Sequence, residues 1–208
     1  MKKIILGFLS ILMCLSLTSC TKAKPEDAVK GYFEAVKAFD TDKMKTFVNE
    51  KETIESITKV SKSDDKYFKY VFDYYKTNAT KMSYKINSSE TKADKAVVTV
   101  DCKYVDGSTL CKETTEEAFK KLFLDDLNQK GPTDEEMSRE LVNTMSEKQK
   151  VLKEVTTEKT IIINCVKVDK KWYIESINDD LKNIMTSNFF SVTNSMKKAN
   201  ENNKINSF

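Results

Sequence analysis

Apolar residues along this chain recur with two different periods, and the switch between them divides it into elements. After Pro25 the spacing is helical: Ala28/Val29, Tyr32/Phe33, Val36 and Phe39 fall on one face of a helix entered through Pro25-Glu26-Asp27. Asp40 or Thr41 caps a short second helix carrying Met44, Phe47 and Val48, and more helix is expected over Glu52–Val60 and from Lys66 to about Lys76. The last of these bears a stripe of Phe68, Val71/Phe72 and Tyr75, which reads as core before pocket lining. The period then becomes twofold. Met82, Tyr84 and Ile86 alternate with polar residues, and the polar stretch Ser88–Asp94 reads as a turn. In the next strand Ala96, Val98, Val100, Cys102 and Tyr104 share one face, while Val97, Thr99, Asp101, Lys103 and Val105 share the other.

Asp106-Gly107 ends that strand, and the helical period returns over residues 108–154. Two capping boxes, Thr114-x-x-Glu117 and Thr133-x-x-Glu136, are separated by the stop Lys130-Gly131-Pro132 and predict helices over 114–129 and 133–153. Strand character resumes at Val155–Val168, and Asp169-Lys170 turns the chain into Lys171–Ile177 to form a hairpin. Asn178 or Asp179 caps a final helix through Leu181, Ile184 and Met185, with a frayed polar tail expected beyond about Lys197. Gly31 interrupts the first helix, where it costs about 1 kcal/mol relative to alanine, and marks the close approach of another backbone.

The stretch before Pro25 is of another kind. Lys2 and Lys3 precede an apolar run too short to span a bilayer comfortably, and it closes on Leu17-Thr18-Ser19-Cys20. This pattern is a lipoprotein export signal. Cleavage between Ser19 and Cys20 leaves Cys20 as the first residue of the mature chain, its thiol taking a diacylglyceryl group whose two acyl chains suffice for stable anchoring. Cys14 lies inside the apolar run behind bulky Met13 and leaves with the signal. The expected organisation is a signal peptide over 1–19, a lipidated tether over 20–24, one domain over 25–190 with a helical insertion at 108–154, and a helix end and polar tail over 191–208.

Composition changes this picture mainly by exclusion. The formal charge is +3, of which Lys2 and Lys3 belong to the signal, so the mature side chains come close to balance, far from the basic surplus of a nucleic-acid binder. Arg139 is the only arginine, which argues against a bidentate phosphate clamp. There is no histidine, so Ser-His-Asp and Cys-His catalysis and the common zinc ligand sets are excluded. Cys102, Cys111 and Cys165 remain besides Cys20, with no C-x-x-C spacing. Cys102 and Cys165 fall in strands and are candidates for a disulfide, although free buried thiols are the preferred reading. No cofactor or metal is expected. Asn78-Ala79-Thr80 and Asn87-Ser88-Ser89 match a glycosylation acceptor and are read as chance.

The order of elements predicts an α+β domain in which N-terminal helices pack in a curved antiparallel sheet of about four strands. The run from Pro25 to Ala35, its continuation Phe39–Met44, and the hairpin Val168-Asp169-Lys170-Lys171-Trp172-Tyr173-Ile174 resemble the secreted nuclear-transport-factor-2-like lipoproteins of Gram-positive bacteria. That resemblance implies a cystatin-like cone fold, from whose simplest form the two helices between the second and third strands depart, and a role in the cell envelope. The favoured reading is a non-catalytic protein held on the outer face of the cell membrane, binding a small ligand or an envelope partner through the cone. Tyr32, Tyr104 and Trp172 are the candidate pocket lining. Two alternatives stay open. Related folds use a carboxylate and a tyrosine as an enzymatic pair, for which Asp101 and Tyr104 are the nearest constellation, although strict alternation puts them on opposite faces. The inserted helices, through Phe119, Leu122/Phe123 and Leu127 and then Met137, Leu141, Met145 and Leu152, read first as packing on their own domain and otherwise as a homodimer contact or a cover over the open end of the cone.

Overall fold

The computed structural model describes residues 23–61, 64–125 and 131–205; the export signal, the cleavage site Ser19/Cys20, most of the tether, Leu127 and the end of the tail lie outside them. Among the described residues eight helices and four strands follow in the order α1 (Pro25–Lys37), α2 (Thr41–Lys45), α3 (Glu52–Ser61), α4 (Lys66–Ala79), β1 (Ser83–Lys92), β2 (Lys95–Asp106), α5 (Ser108–Asp125), α6 (Asp134–Val151), β3 (Val155–Val168), β4 (Lys171–Ile174), α7 (Asp179–Met185) and α8 (Phe189–Ile205). The strands form an antiparallel sheet in the order β1-β2-β3-β4. The class is α+β.

Alternation along β2 decides which side of the sheet is covered. Ala96, Val98, Val100, Cys102 and Tyr104 are buried, and Ile161, Ile163 and Cys165 of β3 with Trp172 and Ile174 of β4 join them on the same face. Helix α1 lies across this face, inserting Val29, Tyr32, Phe33 and Val36, all excluded from solvent. Phe33 stacks on Tyr84 of β1 with ring centroids 4.7 Å apart. The direction of α1 is fixed at both ends. Glu34, near its end, accepts a hydrogen bond of 2.8 Å from the Tyr84 hydroxyl and Phe39 beyond it meets the ring of Phe72 in α4 at 6.0 Å, while at its start the charge of Glu26 adds to burial in raising the Cys165 thiol. Its N-terminus therefore sits at the end of the sheet that holds the β1–β2 and β3–β4 turns.

Several sequence expectations are revised. Ser88–Lys92 is strand rather than turn: β2 supplies its backbone hydrogen bonds, and a register shift between Ile86 and Ser88 marks a bulge. The turn shrinks to Ala93-Asp94, with Ala93 at φ 54°. Asp169 and Lys170 both have positive φ, as a two-residue hairpin turn requires, but β4 ends at Ile174, short of the expected Ile177. Gly31 faces not a backbone but the ring of Phe47, whose Cε1 would stand 2.2 Å from an added Cβ. The polar C-terminal segment is a separate helix, α8, set off from α7 by Ser187 and Asn188 at positive φ.

The helices between β2 and β3 pack with α4 and α8 as a second layer. Here α5 begins at Ser108, not at the capping box of Thr114. Asp106 Oδ1 accepts the Ser108 N–H at 2.9 Å and starts the helix well over one turn earlier. Thr114 is consequently interior to the helix, fully buried, with its hydroxyl unpartnered. The box at Thr133 is present as read: Thr133 Oγ1 accepts the Glu136 N–H and Glu136 accepts the Thr133 N–H. Lys121 bridges Glu117 to Glu140 and Glu147 across the α5–α6 seam, and Lys148 bridges Glu113 and Glu117. No helix among the described residues is long and apolar enough to cross a membrane.

Candidate functional site

The space enclosed by the sheet is filled by the protein's own side chains. Tyr32 is fully buried and its hydroxyl donates to Met185 Sδ of α7 at 2.9 Å. Tyr104 lies in the same core with its hydroxyl donating to Asn188 Oδ1 at 3.0 Å, and burial pushes it up to about 12. Trp172 is buried, with Lys167 Nζ 5.9 Å from its ring centroid. The three residues expected to line a pocket are thus core, and none of the cavities described below is lined by them.

The disulfide candidate fails on register. Cys102 pairs with Lys159 and Cys165 with Ala96, so the two cysteines are six residues apart along the ladder, about 20 Å at strand rise. All three described cysteines are free and buried, and burial pushes each thiol up to about 12, which leaves them protonated and unreactive. The carboxylate–tyrosine pair also separates. Asp101 points to the open face, where Thr160 Oγ1 donates to it at 2.6 Å, and hydrogen bonds from Thr160 and then Asn87 hold its carboxyl below the usual range. A stabilised, solvated carboxylate is a weak base.

Space for a ligand occurs elsewhere, where the helical layer meets the rim of the sheet. A cleft of about 470 Å³ is lined by Tyr74 and Asn78 of α4, Asp106 at the end of β2, Leu110 of α5, and Leu152 and Glu154 on the way from α6 to β3. Its walls follow from local sequence. Gly107 lets the chain pass under α8, since an added Cβ would stand 2.6 Å from Phe189 and 2.7 Å from the Tyr74 hydroxyl. That leaves Leu110 facing α4 one turn into α5. Lys81 and Glu154 form an ion pair at the mouth, both half-exposed. Asn78 is 4% exposed, and its Nδ2 has no hydrogen-bond partner. The Tyr74 hydroxyl is near enough for Asn78 to favour its ionised form slightly, but the two groups do not meet hydrogen-bond geometry. A buried donor without an acceptor costs about 1–3 kcal/mol, so this amide is the group in the cleft that gains most from a ligand oxygen. Burial first, and then the charge of Glu154, raise Tyr74 to about 12, which keeps its hydroxyl a neutral donor.

Two other hollows differ in kind. One of about 440 Å³ lies over the open face of the sheet between Asp101, Lys103, Glu158 and Thr160, whose polar groups pair with one another. The other, about 290 Å³, lies where α4 and α6 begin, and Asp65 is already engaged there by the Tyr67 N–H and the Ser138 hydroxyl. No group of acidic or cysteine side chains among the described residues is arranged to hold a metal.

The cleft residues leave little trace in the sequence. Asn78 stands out there only as part of a glycosylation pattern, and Leu110 is hidden because the capping box starts the helix at Thr114. The spacing Tyr74–Asn78, one helical turn, is the signal that a polar side chain accompanies the stripe of α4.

No protein-family model matches the chain, and no curated protein matches it by sequence. Among solved structures it is similar to the candidate lipoprotein ycdA of Bacillus subtilis, at 16% identity and a TM-score of 0.49 over 81% of this chain. The match spans 56% of that protein's length. Likeness at this level carries no weight for fold or activity.

Proposed function

We propose that the chain is an extracytoplasmic protein anchored to the cell membrane through diacylglyceryl-Cys20, and that it binds a small ligand or an envelope partner in the cleft beneath α4 without catalysis. The anchor reading rests on the basic head, the short apolar run and the Leu17–Cys20 box. Signal peptide 1–19, tether 20–24 and a folded domain from residue 25 follow from it. The kinship with the cone-fold lipoproteins is supported by α1 lying across one face of a four-stranded antiparallel sheet. The helices of residues 108–154 act in this reading as one wall of the binding cleft.

The observation that carries binding is the unpartnered, buried amide of Asn78 in a cleft of small-molecule size that Tyr74 and Leu110 also line. A ligand presenting a carbonyl or carboxylate oxygen to Asn78 and apolar surface to Leu110 and Leu152 suits it. The lack of histidine, and the separation of Asp101 from Tyr104, speak for binding rather than turnover.

The test is native mass spectrometry of the protein purified from its own host membranes. The expected spectrum carries the acylated N-terminus and an additional non-covalent mass, which Leu110→Trp expels while thermal unfolding stays cooperative. Lipidation is read separately: Cys20→Ser should lose incorporated fatty-acid label and leave the membrane fraction. An unliganded wild type indistinguishable from Leu110→Trp would remove the cleft from the account.

A further inference from the structure

The start of the folded chain and the cleft lie at opposite ends of the sheet. Cys20 is five residues before Pro25, and a chain of that length reaches at most about 18 Å. The far end of α1 is held toward the cleft, Glu34 by the Tyr84 hydroxyl and Phe39 by the ring of Phe72 in α4, so its first turn points toward the β3–β4 turn, with Glu26 near enough to Cys165 for its charge to be felt there. The described start of the chain therefore lies toward the two hairpin turns, Lys92–Lys95 and Val168–Lys171, which the hydrogen bond from the Lys167 N–H to the Asp94 carbonyl ties together at 2.8 Å. The cleft is at the far end, where β2 finishes at Asp106 and β3 starts at Val155. Twelve residues of β2 separate the two ends by about 36 Å.

Exposed lysines gather at the turn end. The two turns and their flanks carry Lys92, Lys95, Lys167, Lys170 and Lys171 against Glu90, Asp94, Asp169 and Glu175. Glu175 is engaged by Lys95 at 3.2 Å. Lys92, Lys170 and Lys171 are exposed and form no ion pair with another described residue; Lys171 Nζ sits 5.0 Å from the ring centroid of Tyr173 on the same strand. Val168 is exposed at the tip beside them. The carboxylates at the start of α1 are partly withdrawn: Asp27 accepts the Lys24 N–H, and one oxygen of Glu26 is buried. Exposed lysines with an apolar residue among them suit the interface of an anionic bilayer.

We infer that the two hairpin turns rest on anionic phospholipid headgroups beside the lipidated cysteine, so that the sheet stands away from the bilayer and the cleft opens outward. This rests on the anchor reading of Cys20. It makes the tether more than a leash, because the short linker and the turn lysines together orient the binding site toward the extracellular side.

The test uses the mature lipidated protein in vesicles of phosphatidylcholine alone or with phosphatidylglycerol, and reads amine labelling at each lysine by mass spectrometry. Labelling of Lys92, Lys170 and Lys171 should fall threefold or more on adding phosphatidylglycerol, while the exposed Lys150 and Lys153 near the cleft stay unchanged. Combining Lys92→Gln, Lys170→Asn and Lys171→Gln, substitutions at exposed turn positions, should abolish the lipid dependence of labelling at the remaining turn lysines Lys95 and Lys167 without altering cooperative unfolding. Equal labelling in both vesicles, or protection of Lys85 and Lys103 on the open sheet face, would overturn the orientation while leaving the anchor in place. Failure of the protein to float with either vesicle would overturn the anchor and the orientation together.

Discussion

In the body formed by α1 and the sheet, Tyr32, Phe33, Ile161, Ile163 and Ile174 are all but sealed from water and interlock across facing elements. In the layer of α4, α5, α6 and α8, Met145 alone among the large apolar side chains described is sealed to the same degree, and it is surrounded by partly buried tyrosines, Tyr67, Tyr70, Tyr74 and Tyr75. Tyrosine rims a cleft well, since its ring packs while its hydroxyl still reaches water or a ligand. Buried polar atoms without partners occur in both regions, Glu26 Oε2 at the start of α1 and Asn78 Nδ2 and Thr114 Oγ1 in the layer, but of these only Asn78 lines the cleft. Both regions are built from segments of ordinary composition; the difference lies in how completely each satisfies its own surfaces. The body uses its sequence for stability, and the layer leaves room for something else to complete it.

Substitutions at the two cores should separate them most widely. Phe33→Ala removes the ring stacked on Tyr84 and should cost about 3–5 kcal/mol, lowering the denaturant midpoint of the whole domain. Met145→Ala should cost about 2 kcal/mol, the low end of its class, because the adjoining cleft lets the layer relax, and its effect on hydrogen exchange should stay within residues 66–79 and 108–151. Equal, global losses from both would erase the distinction.

Thiol chemistry sharpens it next. Cys111 belongs to the layer, whereas Cys102 and Cys165 belong to the body. All three are protonated in the folded protein, so alkylation at pH 8 requires opening. Cys111 should react about tenfold or more faster than the other two, by mass spectrometry of quenched samples.

Smaller effects test the entry points of each region. Gly31→Ala drives a methyl into the Phe47 ring and should cost about 1–3 kcal/mol through overpacking, against a helix-propensity gain of about 1 kcal/mol. The double substitution Gly31→Ala with Phe47→Leu should recover most of the loss in thermal melts. Thr133→Ala removes the cap of α6 and should cost about 1 kcal/mol, seen as faster exchange in the first turns of that helix. The smallest effect concerns Asp106. Burial opposes its ionisation, but hydrogen bonds from Asn188 and Ser108 outweigh it and hold its carboxyl below the usual range. A depressed folded value means that its contribution is present above the unfolded carboxylate range and disappears as the pH falls through the folded value. Acid titration should therefore loosen the start of α5 in wild type and have less effect in Asp106→Asn.

How much of this the sequence displayed follows the same division. Alternation in β2 and helical period in α1 are dense signals because one face of each is wholly buried, and both elements, with the hairpin turn at Asp169-Lys170, were legible. The outer half of β1 was not. Ser88–Lys92 lies on an edge with no buried apolar face, so its strand conformation comes from pairing with β2 and leaves no hydrophobic mark. Helix α8 was hidden by its Asn- and Lys-rich composition, since its hold on the fold comes through Phe189 near its start. The capping box at Thr114 was a false start because Asp106, eight residues earlier, captures the free N–H first. Tyr32, Tyr104 and Trp172 were legible as inward-facing, but whether an inward-facing aromatic lines a void or fills it depends on residues far away in sequence, such as Met185 and Asn188.

The measurement that bears most directly on the account is hydrogen exchange of the lipidated protein, resolved by segment. Amides of α4 and α6 around the cleft should exchange at least about tenfold faster than those of α1, β2 and β3, showing a layer that opens while the body remains closed. Uniform protection through both regions would contradict it.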